Sequence, residues 1–423
     1  MIYTLFPSIF SSKGNFAGVA AQLNRLSSLG VTDIWIMPVT PVGKAVDGHP
    51  SFGSPYAVQN YYAVNPDYGT PSELKALVKR AHALKMRVIL DEVLNHTSWD
   101  NPLIRLHPEY YVHRDSDKTN PLSIQQAFNY GDVAQLDYTN RGLRSFIVTM
   151  LQYWIKAYGV DGFRFDSADT PPGPNRMIPA YFWQDLDVAL RAVKPNVLLL
   201  GEEATPDLAL KPFTLDYGWP MVGPVESASK GGDASQIPLT WERQSQDFPK
   251  GMTHMSVSDD WDYPRDVNRY GGPAGALAVA AFYLTDTGIP LIYNGMEIGN
   301  AAGAVNPHAP IDWESPRPEF THFYQQMIRL RRKNAALHSG TMAWIANTAP
   351  HQLLTYVRTA GTKQFLIEIN LSPTAAFGTV SLEPGTKWTQ IPIAGVPTAI
   401  ANCAPLTVSL PPFGFALFER SLR

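Results

Sequence analysis

Apolar and polar positions follow two different periods along most of this chain. Short apolar runs typical of buried strands are separated by longer segments in which apolar residues recur at helical spacing. This alternation indicates a parallel sheet whose strands are joined by helical crossovers. The predicted strands are 1–6, 32–37, 87–90, 162–166, 197–202, about 213–217, 252–257 and 290–293, and the predicted helices are 15–29, 72–84, 141–158, 178–192, 274–284 and 319–333.

Two parts of the chain depart from this alternation. Residues 97–137 are polar and rich in Asn, Asp and His, and they are too many for an ordinary loop, so we expect a small insertion after the third strand that forms one wall of a cleft. After about residue 337 short β-rich runs alternate with turn residues, which predicts an antiparallel β-sandwich. The predicted domains are an α/β domain (1–96 and 138–337), the insertion (97–137) and an all-β domain (338–423).

The amino-acid composition limits which classes of binding partner are expected. The 423 residues carry a formal net charge of −3 with no basic block, so nucleic-acid binding has little support. No apolar run approaches the roughly 20 residues of a membrane helix, and no membrane partner is expected. Cys403 is the only cysteine, which excludes a disulfide or a cysteine-based zinc site within the chain. We expect a monomer. Because residues 1–6 read as a strand and no basic leader precedes them, we expect the protein to be cytoplasmic, or secreted if a leader peptide has been removed.

Three of the predicted strands end in ionisable residues. The runs 87–96, 162–166 and 197–202 finish in Asp91-Glu92-Val93-Leu94-Asn95-His96, in Arg164-Phe165-Asp166 and in Gly201-Glu202. The carboxyl ends of neighbouring parallel strands meet at one edge, where a TIM barrel carries its active site. Two carboxyl groups there could break a glycosidic bond, one attacking carbon and the other donating a proton.

Taken in order, these motifs resemble the α-amylase family of glycoside hydrolases. The resemblance extends over nearly the whole chain and includes the stretches 30–38, 54–56, 61–70 and 288–297. It implies a TIM (β/α)8 barrel with a short insertion after strand 3 and a C-terminal antiparallel β-sandwich. It also implies a retaining hydrolase that cleaves α-1,4 bonds in starch-type glucans or maltooligosaccharides through a covalent glycosyl-enzyme intermediate.

The same resemblance gives roles to individual residues. Asp166 matches the nucleophile, and Glu202 matches the general acid/base, whose pKa partial burial could raise. Arg164 lies two residues before Asp166 on the same side of the strand, where its charge keeps the nucleophile ionised. Substrate-binding positions are matched by Tyr56, Asp91, His96 and Arg164. Glu203 is expected to point away from the site.

A structural calcium ion is a further expectation from the resemblance. Asn95 matches a family position that often ligates calcium, and such a site needs additional oxygen ligands. Asp137, Asp115 and Asp117 are candidates for them.

The fourth family motif, normally Asn-His-Asp after the seventh strand, is altered here. We align Ser258-Asp259-Asp260 with it, because the apolar strand ends at Val257, so Asp260 becomes the transition-state stabiliser. Asp259 then replaces the histidine and adds a like charge, which would weaken activity or shift it toward acid. The alternative alignment makes Asp262 the third carboxylate, since Asp-x-x-Arg is common in the family and Arg265 fits it.

A second departure follows the nucleophile and keeps other functions open. Where many relatives carry Lys-His, this chain has Asp169 and Thr170, followed by Pro171-Pro172-Gly173, so the leaving-group side must differ. One alternative is a transglycosidase or an α-1,6-glucosidase of the same family. Another is a catalytically silent sugar-binding homologue, against which intact Asp166, Arg164 and Glu202 argue.

Overall fold

The computed structural model describes residues 1–46, 48–169, 177–202, 212–213, 215–248, 252–302, 310–382, 387–393 and 406–422. Thr170, the Pro171-Pro172-Gly173 segment, Glu203 and Cys403 lie outside the described residues, so the expectations attached to them stay predictions.

Eight parallel strands close into a barrel, which confirms the predicted TIM fold. Strand β1 pairs in parallel with both β2 and β10, and this second pairing closes the sheet. The weakly patterned sixth strand is present but short. The barrel strands are β1 Ile2–Leu5, β2 Asp33–Ile36, β3 Arg87–Glu92, β6 Gly162–Phe165, β7 Leu198–Gly201, β8 Leu215–Tyr217, β9 Thr253–Ser256 and β10 Ile289–Tyr293.

The helices surround the barrel, and their ends carry the expected capping chemistry. Asn15 caps α2, which ends at Gly30 with a positive φ of 112°. The third helix begins earlier than predicted, because Thr70 and Glu73 form a capping box around Pro71. The helices are α1 Pro7–Phe10, α2 Phe16–Leu29, α3 Pro71–Ala83, α4 Leu103–Leu106, α5 Arg141–Tyr158, α6 Ala180–Val193, α7 Trp219–Ser229, α8 Gln236–Asp247, α9 Asp266–Arg269, α10 Pro273–Tyr283, α11 Pro318–Lys333 and α12 Ala335–His338.

Helices α7 and α8 were not predicted from the sequence. Pro224 lies inside α7, and Pro238 lies within α8 close to its start. Proline weakens a helical pattern, and Gly231-Gly232 between the two helices adds to the impression of a loop. Tertiary packing of Val225 and Ile237 against the barrel outweighs that local preference.

The insertion after β3 and the C-terminal region are both built from antiparallel strands. In the insertion, β4 His96–Ser98 pairs with β5 Val133–Gln135, and short 3-10 turns cover 108–110 and 121–123. The C-terminal region has one five-stranded and one two-stranded antiparallel sheet that share an apolar core. Its strands are β11 Thr341–Trp344, β12 Leu353–Ala360, β13 Lys363–Asn370, β14 Ala376–Val380, β15 Thr389–Ile391, β16 Leu406–Leu410 and β17 Phe415–Ser421.

A buried arginine joins the C-terminal sheet to the barrel, and a second buried arginine binds the same loop from a barrel helix. Arg358 on β12 donates to the carbonyl oxygens of Thr285 and Asp286, and Arg331 on α11 donates to those of Leu284 and Asp286. The exact domain boundaries stay a prediction. Within the described part of the chain, no helix has the length and apolar character needed to cross a membrane.

Candidate active site

One arginine joins three carboxyl groups at the carboxyl ends of β3, β6 and β7. Arg164 on β6 lies in register with Asp91 on β3, and Glu202 directly follows β7. The Nη1 atom of Arg164 lies 2.7 Å from Asp91 Oδ1 and 3.1 Å from Asp166 Oδ1. Its Nη2 atom lies 2.7 Å from Glu202 Oε2. Arg164 is fully buried, so sheet register fixes the relative positions of the three carboxyl groups.

Asp166 is held in place through both its side chain and its backbone. Burial raises the pKa of Asp166 to about 6, against the lowering effect of Arg164 and with the help of the negative charges of Asp91 and Asp262. Asn95 Nδ2 donates to the backbone oxygen of Asp166 at 2.6 Å. The Asp166 carboxylate is therefore mostly ionised at neutral pH and has a fixed orientation, as a nucleophile requires.

Glu202 lies in a different electrostatic environment. Burial raises the pKa of Glu202, Arg164 lowers it, and the charge and hydrogen bond of Asp166 raise it again. Its Oε2 atom also accepts a hydrogen bond from the backbone N–H of Ser167 at 2.7 Å. Ser167 adopts a left-handed φ of 48°, unusual for a residue other than glycine, which is consistent with a constrained functional turn. A carboxyl group with a raised pKa is suited to donate a proton.

Tyr56, Asp91 and His96 form a hydrogen-bonded layer beside these groups. Tyr56 Oη donates to Asp91 Oδ2 at 3.1 Å, and Trp35 Nε1 donates to the same oxygen at 3.2 Å. His96 Nε2 lies 3.2 Å from the backbone oxygen of Tyr56, and burial lowers the pKa of His96 to about 4. His96 is therefore neutral at neutral pH, and it lines the cleft as a hydrogen-bonding group without adding a charge.

Four aromatic rings surround the Arg164 guanidinium. The centroids of Trp35, Tyr56, Tyr217 and Trp261 lie 5.3–5.7 Å from its central carbon. The rings limit the access of water and contribute cation–π attraction. They therefore help to keep the guanidinium in one orientation beneath Asp166 and Glu202.

Asp259 and Asp260, in the turn after β9, are both buried behind the cleft. Asp259 Oδ2 lies 2.9 Å from Arg265 Nε, so the extra charge predicted at this position is paired within the protein. Asp260 Oδ1 accepts from the backbone N–H of Asp262 at 2.9 Å, and burial raises the pKa of Asp260 well above its usual range. Neither residue lines the cleft.

Asp262 is the carboxylate of this turn that lines the cleft, together with Asp166 and Glu202. Burial raises the pKa of Asp262 to about 6, with Glu202 adding to the effect and Arg164 opposing it. This placement does not agree with the sequence-based preference for Asp260. The strand ends at Ser256, and the chain then turns so that Asp260 points inward and Asp262 reaches the cleft.

The cleft has a volume of about 580 Å³ and includes aromatic residues that sequence reasoning missed. Trp261 stacks near Tyr56 with centroids 5.9 Å apart, and Phe52, Phe128 and Tyr130 lie along the wall formed by the insertion and the loop after β2. These residues lie outside regular strands, so no periodic pattern marked them. Their one signal in the sequence is an aromatic ring in an otherwise polar segment.

The carboxylates proposed for calcium make contacts with neighbouring protein groups; Asp115 Oδ1, for example, accepts from the backbone N–H of Asp117 at 3.1 Å. Asn95 Oδ1 has no hydrogen-bond partner among the described residues and could serve as one ligand. Asp137 instead binds Thr139 and Lys118, and Asp117 binds Thr119. The described residues contain no group of three His, Cys, Asp or Glu side chains that could hold a metal ion. Calcium therefore stays a prediction and enters no step below.

Comparison with known proteins identifies the family to which this geometry corresponds. The family model for "Alpha amylase, catalytic domain" matches residues 6–315. A cyclomaltodextrinase from Geobacillus thermopakistaniensis is 29% identical over 96% of this chain, and an intracellular maltogenic amylase from Bacillus subtilis is 25% identical over 84% of it. The aligned regions span only 70% and 62% of these two relatives.

Solved structures extend the similarity to the whole chain. A noncanonic maltogenic α-amylase, AmyB from Thermotoga neapolitana, matches 100% of this chain and 98% of its own, with a TM-score of 0.87 and 25% identity. An α-amylase from Lactobacillus plantarum matches 99% and 98%, with a TM-score of 0.83 and 26% identity.

Proposed function

Because the chain belongs to the α-amylase family of glycoside hydrolases, we propose that it hydrolyses α-1,4-glucosidic bonds of maltooligosaccharides with retention of the anomeric configuration. The observation that carries this proposal is the single Arg164 guanidinium that contacts both Asp166 and Glu202 at the cleft. The relatives named as a cyclomaltodextrinase and as maltogenic amylases support the substrate class.

The closeness of the two carboxyl groups favours retention. Asp166 and Glu202 contact the two terminal nitrogens of the same guanidinium, and the nearby charge of Asp166 raises the pKa of Glu202. An inverting enzyme needs roughly 6.5–9.5 Å between its carboxyl groups to admit a water molecule, whereas a retaining enzyme has them about 5 Å apart. The arrangement therefore suits direct attack by one carboxylate.

In the proposed reaction Asp166 attacks the anomeric carbon while Glu202 protonates the departing glycosidic oxygen. The bond to the leaving sugar breaks, and a covalent glycosyl ester forms on Asp166. Glu202, now ionised, takes a proton from water, which attacks the same carbon and releases the sugar from Asp166. The first displacement occurs on one face of the anomeric carbon and the second on the opposite face, so the original configuration is restored.

Asp262 is proposed as the third carboxylate. Its position in the cleft lets its negative charge stabilise the oxocarbenium-like transition state. In this register Trp261 occupies the place of the family's histidine, so an indole ring lines the cleft there in place of an imidazole. Asp259 is paired with Arg265, away from the substrate.

The test is product analysis by chromatography and by proton NMR of the anomers, with maltoheptaose, soluble starch and isomaltose as substrates. Short α-anomeric maltooligosaccharides are expected. New linkages or longer products would indicate a transglycosidase, and cleavage restricted to isomaltose would indicate an α-1,6-glucosidase. Initial β-anomers would contradict retention, and binding without turnover would leave a silent homologue. A chelator arm tests the calcium prediction.

A further inference from the structure

Two large aromatic side chains remain exposed at the mouth of the cleft. Phe52 is 67% exposed and Tyr130 is 60% exposed, and both line the cleft that holds Asp166 and Glu202. A single exposed aromatic residue is common on a protein surface, but here two along one cleft form an aromatic patch that is still more than half exposed.

Phe128 connects this patch to the catalytic centre. Its ring lies edge-on to His96 with centroids 5.9 Å apart, and edge-on to Tyr130 with centroids 5.8 Å apart. The backbone of Phe128 has a left-handed φ of 52°, which is unfavourable for a residue with a large side chain. Such a conformation persists only where its surroundings enforce it, and it often marks a binding site.

The loops that carry these rings are tied to each other. Trp99 Nε1 donates to the backbone oxygen of Gly131 at 3.0 Å, and the Trp99 ring stacks on His49 with centroids 3.7 Å apart. Phe128 also packs on a small apolar cluster of Ala57, Ala127 and Val133. The two loops are therefore held against each other before any ligand binds, which reduces the ordering cost of binding.

We infer that Phe52 and Tyr130 form a subsite for a glucosyl unit beyond the one that contacts the catalytic carboxylates. The C–H groups on the flat face of a glucosyl ring carry partial positive charge and match the electron-rich face of an aromatic ring. The inference rests on the proposed function and adds that the enzyme discriminates substrates by chain length through these two rings.

The test compares maltoheptaose with 4-nitrophenyl α-glucoside in wild type, Phe52→Ala, Tyr130→Ala and the double variant. We expect kcat/KM for maltoheptaose to fall about 3- to 10-fold per ring, mainly through KM, because each stacking contact is lost. The short substrate does not reach the rings and should change less than 2-fold. Phe377→Ala is the matched control, since Phe377 is equally exposed on β14 and far from the cleft in the C-terminal sheets.

A binding measurement separates this inference from the proposed function. Calorimetry with maltoheptaose is carried out on Asp166→Asn with and without the two ring substitutions. Ring-dependent binding without wild-type turnover would overturn only the proposed function. Turnover of maltoheptaose with no ring dependence, equal losses on both substrates, an equal loss in Phe377→Ala, or no binding at all would overturn the inference.

Discussion

Asp166 and Asp262 both face the cleft as acidic groups with a pKa of about 6, yet their positions are determined in different ways. Asp166 directly follows β6, where the parallel register with β3 and the bond to Arg164 fix it. Asp262 lies six residues beyond the end of β9, in a turn whose path depends on Asp260 and on the Asp259–Arg265 pair. Sheet register therefore defines the first position, and turn packing defines the second.

This difference has a chemical consequence for the cluster. Arg164 lowers the pKa of each of four carboxyl groups, those of Asp91, Asp166, Glu202 and Asp262. One guanidinium cannot neutralise four carboxylates, so the group should titrate as a coupled set. The strand-borne members contact Arg164 directly, whereas Asp262 acts on the set through its charge.

The largest effect on kcat is expected for Asp166, the carboxylate whose position sheet register determines. Replacing Asp166 with Asn keeps the shape and the contact with Arg164 but removes the nucleophile, and kcat should fall by roughly 10⁴-fold or more. Steady-state hydrolysis of maltoheptaose measures the loss, and a thermal unfolding curve checks that the variant is folded. A loss of less than 100-fold would mean that another group attacks the sugar.

How far the sequence predicts the site follows the same division. Asp166 and Glu202 could be located because each ends an apolar strand, and the sheet register brings strand ends together. The apolar pattern did not reveal where β9 ends, because Val257 is buried like a strand residue although the strand ends at Ser256. The sequence therefore could not show which of the following carboxylates reaches the cleft. Phe52 and Tyr130 could not be predicted as cleft residues, since no period distinguishes an exposed ring in an irregular loop.

An intermediate effect on kcat is expected for Asp262, in the turn that follows β9. Asp262→Asn should lower kcat about 10²- to 10³-fold, because a charge aimed at the transition state is lost. Asp260→Asn is the matched variant. Burial raises the pKa of Asp260 well above its usual range, and an Asn side-chain oxygen can still accept from the Asp262 N–H. We therefore expect less than about a 3-fold change.

The same pair of variants can reverse the conclusion. If Asp260→Asn is the more damaging of the two in assays of maltoheptaose hydrolysis, the sequence-based preference for Asp260 was right. Unfolding temperatures distinguish this outcome from a disrupted turn, because a structural defect would lower stability as well as activity.

The smallest effect concerns the pH profile. Activity requires ionised Asp166, so kcat/KM should fall as the pH drops below about 6, where burial places the pKa of Asp166. Asp262 raises that pKa through its negative charge. Removing this charge makes ionisation easier, so Asp262→Asn should shift the acid limb toward lower pH by roughly half a pH unit.

Asp260→Asn provides the control, because Asp260 is not among the main groups that shift the pKa of Asp166. The residual kcat/KM of each variant is measured from pH 4 to pH 8 with one substrate. If the acid side of the pH profile moves in Asp262→Asn and does not move in Asp260→Asn, then Asp262 is the residue of this turn whose charge raises the pKa of Asp166. If neither variant moves the limb, Asp262 lies too far from Asp166 to act on its ionisation, and the two carboxylates do not form one electrostatic cluster.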